Sequence, residues 1–277
     1  MIPRFLLFVC CICSSFGSLA SSKIIATGGA SNIEGSAGGG IVPWAVINGY
    51  GSSGEWGVTA FASQVGVDDF TLNVLGASAS YDNRWELSVA RQRFALDSIG
   101  GELRQDIIGV KYHFIGELLY TALPQISIGA QYKKHLDFAL PEAVGARDNS
   151  GIDIYLAASK VFFDNIAGRN LLLNGTVRAT KANQTGLLGF GSVNDNSYQF
   201  LFEASAALLL NYNVAVGIEF KQKPDQLDFA TEQHWHDLFV AWFINKHVSV
   251  VTGYADLGSI AGFEQQQGYY LSIEGAW

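Results

Sequence analysis

Apolar residues recur at every second position through long stretches of this chain, and that alternation restricts what it can become. Ile126, Ile128, Ala130 and Tyr132 alternate with Ser127, Gly129, Gln131 and Lys133. Ile108, Val110, Tyr112 and Phe114 alternate with Ile107, Gly109, Lys111 and His113, and Val214, Val216, Ile218 and Phe220 with Ala215, Gly217, Glu219 and Lys221. Successive side chains of a strand point to opposite sides, so each segment offers one apolar face and one small or polar face. After residue 20 no eighteen consecutive residues are apolar; the nearest stretch, 204–218, is broken by Asn211-Tyr212-Asn213. Helical spans need ~20 such residues and are excluded there.

The same pattern predicts strands near 55–65, 70–81, 83–94, 105–115, 125–134, 151–162, 170–181, 198–210, 213–222, 235–245, 247–255 and 268–277. Most match the ~9–11 residues with which a tilted strand crosses an outer membrane, against ~5–6 for an ordinary soluble strand. So many apolar faces need a common solvent. A barrel exterior in lipid provides one, and closure leaves no unpaired edge in the hydrocarbon. The connections alternate accordingly. Asp82-Asn83, Asn211-Tyr212 and Asn245-Lys246 are tight and rich in turn formers, whereas 135–150, 182–197, 223–234 and 256–267 are long and polar. Two connections expected on the short-turn side, 116–124 and 163–169, are longer than that side favours. The expectation is an all-β fold: a transmembrane antiparallel up-and-down barrel of about twelve strands, residues 54–277, with both termini in the periplasm.

The first twenty residues read as a cleaved signal peptide. Arg4 precedes an apolar run over 5–13, and Ser18-Leu19-Ala20 suits cleavage after Ala20. All three cysteines, Cys10, Cys11 and Cys13, fall inside this segment. A mature chain would then have no disulfide, thiolate metal site or cysteine nucleophile. Residues 21–53 are glycine-rich, with Gly28-Gly29 and Gly38-Gly39-Gly40 ahead of Ile41-Val42-Pro43-Trp44. They are either a plug or lid, or an extra strand pair that would raise the count to fourteen. A phosphate loop is not supported, because no GKS/T and no amphipathic helix follows the glycines.

The last strand has a specific pattern. Tyr269, Leu271, Ile273, Gly275 and Trp277 share one face, and the chain ends on the aromatic. It resembles the terminal signal by which Gram-negative outer-membrane barrels are recognised for assembly, which implies the barrel-assembly machinery as a partner. The stretches Gly28-Gly29…Ile33-Glu34-Gly35…Gly38-Gly39-Gly40…Pro43-Trp44-Ala45…Gly49-Tyr50-Gly51 and Glu86-Leu87-Ser88-Val89-Ala90-Arg91-Gln92-Arg93-Phe94 resemble a proteobacterial family of unknown function regarded as outer-membrane barrels. The resemblance covers nearly the whole chain after residue 20. It implies location and fold and transfers no site residues.

If the apolar face is outside, the lumen candidates are Glu86, Lys111, His113, Lys133, Asp153, Arg178, Glu203, Glu219 and Lys221, with Asp237 and Glu274. This is a mixed wall and not a single-sign field. Two readings stay open: a water-filled pore for small hydrophilic solutes, or charges that pair across a narrow lumen and fill it. The apolar inward positions Phe239 and Val251 add a path for a hydrophobic ligand. A passive porin-like channel is the expectation, its solute unidentified, with a closed structural or adhesive barrel binding through 135–150 or 182–197 as the alternative.

Other classes have weaker support. Charged residues make up 15% and aromatics 13% of the chain, which excludes a disordered protein. With 17 basic against 25 acidic residues and no basic stripe, nucleic acid is not a partner. His234 and His236, with Glu232 and Asp237 nearby, could form the edge of a metal site, but a third ligand is not evident. Asp68-Asp69 could activate water, or form a turn. No G-x-S-x-G occurs, so an enzyme acting on lipid or surface peptide is the remote alternative, and no cofactor or metal is expected. Arg91 and Arg93 share parity with the lipid-facing residues, where they would meet lipopolysaccharide phosphates unless a bulge turns them inward.

Overall fold

Twelve antiparallel strands close into a barrel in the computed structural model, which describes residues 23–227 and 229–277. The expected signal peptide lies outside the described residues. In chain order the strands are β1 (Trp56–Val67), β2 (Phe70–Tyr81), β3 (Trp85–Leu96), β4 (Glu102–Ile115), β5 (Gln125–His135) and β6 (Ser150–Ile166). The second half comprises β7 (Arg169–Thr180), β8 (Gln199–Leu209), β9 (Val214–Lys221), β10 (Trp235–Phe243), β11 (Val248–Asp256) and β12 (Gln267–Ala276). Each pairs with its sequence neighbour, and β12 returns to β1 in register from Gly268 opposite Val67 to Ala276 opposite Thr59. Every strand therefore has a partner on both sides.

The alternation in sequence becomes an inside and an outside. On β3, Glu86, Ser88, Ala90, Gln92 and Phe94 are buried, while Trp85, Leu87, Val89, Arg91 and Arg93 are exposed. Leu87, Ile108 and Leu238 expose 61%, 59% and 58% of their surfaces. A band of large aliphatic side chains running round the whole barrel exceeds the exposed patches of a water-soluble monomer and faces lipid. Aromatics border it, with Trp56 against Tyr81 and Trp85 against Tyr112 at one end and Tyr254 against Tyr269 at the other. The segment 235–245 is apolar on both faces, so its alternation alone does not define a register. In the structure Trp235, Asp237, Phe239, Ala241 and Phe243 face inward and His236, Leu238, Val240 and Trp242 outward.

Three details of the connections depart from expectation. Residues 163–169 are not a long turn: β6 continues to Ile166, and the hairpin closes on Ala167-Gly168, with φ of 49° and 71°. Positive φ at both central residues matches the right-handed twist of the flanking strands. Asp82 and Asn83 do the same at φ 58° and 50°, so β3 starts at Trp85 and not at residue 83. The polar loop 182–197 is not wholly outside, because residues 182–192 are buried and fold back into the barrel mouth. Phe190–Ser192 pairs there with Ala146–Asp148. We call the mouth that carries these loops the loop end, and the opposite mouth, with the short turns and Trp277, the turn end.

Among the described residues the barrel has no fourteenth strand. Residues 28–51 are buried inside it, entering from the turn end. Their regular ladder is short, Ala30–Ser31 against Ala37–Gly38. This is the plug alternative, and it dominates the interior.

Candidate functional site: the occupied lumen

A segment with so little ladder pairs only part of its backbone N–H groups by itself, and buried donors left unpaired cost ~1–3 kcal/mol each. The wall supplies the acceptors. Glu86 accepts from the backbone N–H of Ala37 at 3.1 Å and of Asn48 at 2.8 Å. Glu219 accepts from Ile41 N–H at 2.7 Å and from the Trp44 indole at 3.2 Å, and Glu274 from Ser31 N–H at 2.8 Å. Plug carbonyls are met in turn. Lys111 Nζ donates to Ala37 and Val46, both at 3.0 Å, and Gln92 donates to Ile33 at 2.7 Å. Inward charges on β3, β4, β9 and β12 thus act as a mould for an irregular chain.

The centre of the mould is one plug residue, Glu34, 1% exposed. Lys133 from β5 donates to its Oε1, while Arg178 from β7 and Lys221 from β9 each reach Oε2 at 2.9 Å. Asp153 bridges Lys133 and Arg178 at 2.7 and 3.2 Å, and Glu203 takes Arg178 Nε at 2.6 Å. Three cations and three carboxylates balance. Burial opposes ionisation of Glu34, but Arg178, Lys133 and Lys221 together hold its carboxyl well below the usual carboxylate range.

The glycines explain how the backbone comes so close. A Cβ on Gly39 would lie 2.6 Å from Glu219 Cδ and 2.8 Å from its Oε2, and one on Gly40 would lie 2.8 Å from Tyr270 Cζ. Glycine is needed here for close approach, not for a positive φ. From the loop end the in-folded segment meets the same cluster: the Thr185 carbonyl accepts from Lys133 at 3.1 Å and from Gln105 at 3.2 Å.

Of the residues singled out from sequence, Glu86, Lys111, Lys133, Asp153, Arg178, Glu203, Glu219 and Lys221 all lie in this interior network. His113 does not. It sits at the turn-end rim, bridging the carbonyls of Asn83 and Gly116 at 3.2 and 2.8 Å. Asp237 and Glu274 also point inward. His234 and His236 pack outward against Phe220, whereas Asp237 hydrogen-bonds Tyr270 inside and Glu232 pairs with Lys223, so these four do not converge. Asp68-Asp69 form the β1–β2 turn. Arg91 and Arg93 lie outward in unbroken register, and Arg91 forms a two-point pair with Asp106 at 2.6 and 2.8 Å. Tyr269, Leu271, Ile273 and Trp277 face outward along β12 and beyond its end. Sequence reasoning missed Glu34; its one available signal was being the only charged residue between 24 and 54.

A closed twelve-strand antiparallel barrel with an apolar outer band is the fold of an outer-membrane β-barrel. The chain belongs to the family described as protein of unknown function (DUF3034), whose model matches residues 27–274. No curated protein matches it. Among solved structures it is similar to the KdgM porin in complex with disordered oligogalacturonate, at 10% identity and a TM-score of 0.51, covering 79% of this chain and 99% of that one. It is also similar to the NanC porin (10% identity, TM-score 0.48, 79% and 98% covered) and to the Acinetobacter baumannii outer membrane protein Omp33 (12%, 0.47, 82% and 100%).

Proposed function

We propose that this protein is a porin-like channel of the bacterial outer membrane, held shut at rest by its own N-terminal segment and passing small hydrophilic solutes when that segment moves. The observation that carries this reading is the Glu34 cluster. A plug whose centre is held by one carboxylate among three wall cations has a latch, because displacing that carboxylate leaves only its hydrogen bonds to the wall to keep it seated. Once the plug is withdrawn, the wall retains Lys111, Lys133, Arg178 and Lys221 beside Glu86, Asp153, Glu203 and Glu219. Such a charged, hydratable surface suits polar solutes. The short turns and both termini then face the periplasm, and the long loops face outward. Arg91 and Arg93 would stand at the level of lipopolysaccharide phosphates. The outward pattern ending in Trp277 would serve the barrel-assembly machinery, after a signal peptide over 1–20 has directed export.

The test is conductance in a planar bilayer. Residues 21–277 are expected to be silent or nearly so, and residues 54–277 to conduct in discrete steps. A disulfide formed from Ala45→Cys and Ser159→Cys, where Ala45 N–H donates to Ser159 Oγ at 2.8 Å, is expected to abolish any residual opening. Steady conductance through the disulfide-locked form would defeat the proposal, as would silence of the plug-free barrel. Membrane insertion has its own check. Leu238→Arg, on the apolar band, is expected to cost about 2–4 kcal/mol in a refolding titration, and a substitution at a water-exposed loop position far less.

A further inference from the structure

The charged interior does not continue to the turn end. On β7 to β10 the inward positions change from Arg178, Glu203, Glu219 and Asp237 to Leu172, Ala207, Ala215, Ala241 and Phe243, so these strands become apolar on both faces. Between these side chains and plug residues 24–30 lies a cavity of about 670 Å³, with Trp44, Phe239 and Val251 at its inner end. It opens between the turns: Asp164, Arg169, Asn170 and Asn211 form its polar mouth, and Arg169 donates to the Leu210 carbonyl. A water-filled barrel gains nothing from such a lining, since keeping apolar surface wet costs ~25 cal/mol per Å². The volume falls within the ~300–1,000 Å³ of sites that enclose one small molecule.

The geometry points to a binding site for a single-chain anionic amphiphile, its alkyl chain in this cavity and its carboxylate or phosphate head beside Arg169. Three features select this chemistry. The depth is apolar, and a volume of about 670 Å³ suits one alkyl chain better than the two of a diacyl phospholipid. The polar groups are confined to the mouth. Arg169 is the one cation among the described residues that line it, and a guanidinium offers further donors to an anionic head beyond the one given to Leu210. The site is distinct from the latch, and because Gly29, Ala30, Gly38, Gly39 and Trp44 form part of its wall it belongs to the barrel with the plug seated.

The test uses residues 21–277 in lipid nanodiscs with a sixteen-carbon fatty acid that carries a photoreactive diazirine at the chain end, and maps the cross-links by mass spectrometry. Labelling is expected at the inward Phe239, Ala241 and Val251. Ala241→Trp, and independently Ala215→Phe, are expected to reduce that labelling at least tenfold while leaving labelling at the outward Leu238 and Val240 unchanged, which also shows that the barrel has inserted. Arg169→Gln is expected to raise the half-saturating concentration severalfold. Competition by unlabelled palmitate alone would identify a free fatty acid as the source, and equal competition by lysophosphatidylethanolamine a membrane lipid. Labelling confined to outward residues, or undiminished in both filling variants, would overturn the assignment. Conductance is a separate readout, so this site and the plugged channel fail independently.

Discussion

Glu34→Ala is expected to release the N-terminal segment from the barrel. The substitution leaves Lys133, Arg178 and Lys221 buried with only Asp153 and Glu203 as counter-charges. Removing one partner from a buried ion network costs about 3–5 kcal/mol, because the remaining charges stay desolvated and unpaired. At ~1.4 kcal/mol per factor of ten, the ratio of seated to unseated plug falls by a hundredfold or more. Channel openings should become frequent in a bilayer, and residues 23–53 should become accessible to protease from the turn end. Lys221→Met in the same chain removes the excess cation and is expected to recover part of the closure. An unchanged, silent Glu34→Ala barrel would mean that the backbone contacts to Glu86, Glu219 and Glu274 hold the plug without the latch.

The same cluster sets a pH dependence. A carboxylate held below its ordinary value contributes stability that is present above the unfolded pKa and lost as pH falls through the folded one. Glu34 is such a group. Closure should therefore persist from pH 8 to pH 5, and opening should set in only below the ordinary glutamate value of ~4.3.

Gly39→Val is the second substitution expected to act strongly, for a steric reason. Its side chain would fall on the Glu219 carboxylate, which accepts from Ile41, Val42, Trp44 and Ser205, so moving it aside breaks these hydrogen bonds. The plug then cannot seat at its middle. Ala45 lies beyond that point and is fully buried, so a cysteine there reports on seating. Maleimide labelling of Ala45→Cys should be slow in the parent and at least ten times faster with Gly39→Val. Gly66→Ala, where an added Cβ meets nothing within 4 Å, should leave the rate unchanged. Equal rates in all three would refute close packing at Gly39.

These two positions also show where the sequence is legible and where it is not. The wall follows a local rule: period two locates every strand within a few residues, and parity alone sorts Glu86, Lys111 and Lys221 to the inside. Residues 28–51 follow no period, because they adopt no extended ladder. What fixes them is contact with distant residues: Glu34 meets Lys133, Arg178 and Lys221 across 99, 144 and 187 positions. Such separations leave no trace in a local pattern. The in-folding of 182–192 is illegible for the same reason: its carbonyls take donors from the distant Gln105, Lys133 and His135, and Leu187, Leu188 and Phe190 are buried with them. The end of β6 is hidden because Ala167 gives no turn signal and reaches positive φ only through its hairpin context.

The seam between β1 and β12 determines the order in which this molecule can be built. The plug is the first part of the chain after residue 22, yet its acceptors include Glu219 on β9 and Glu274 on β12, near the other end. The complete mould exists only after the last strand has arrived. Pairings of such high contact order form slowly. The glycine-rich segment can therefore complete its contacts only once the wall has closed, which makes a full plug a readout of a finished barrel.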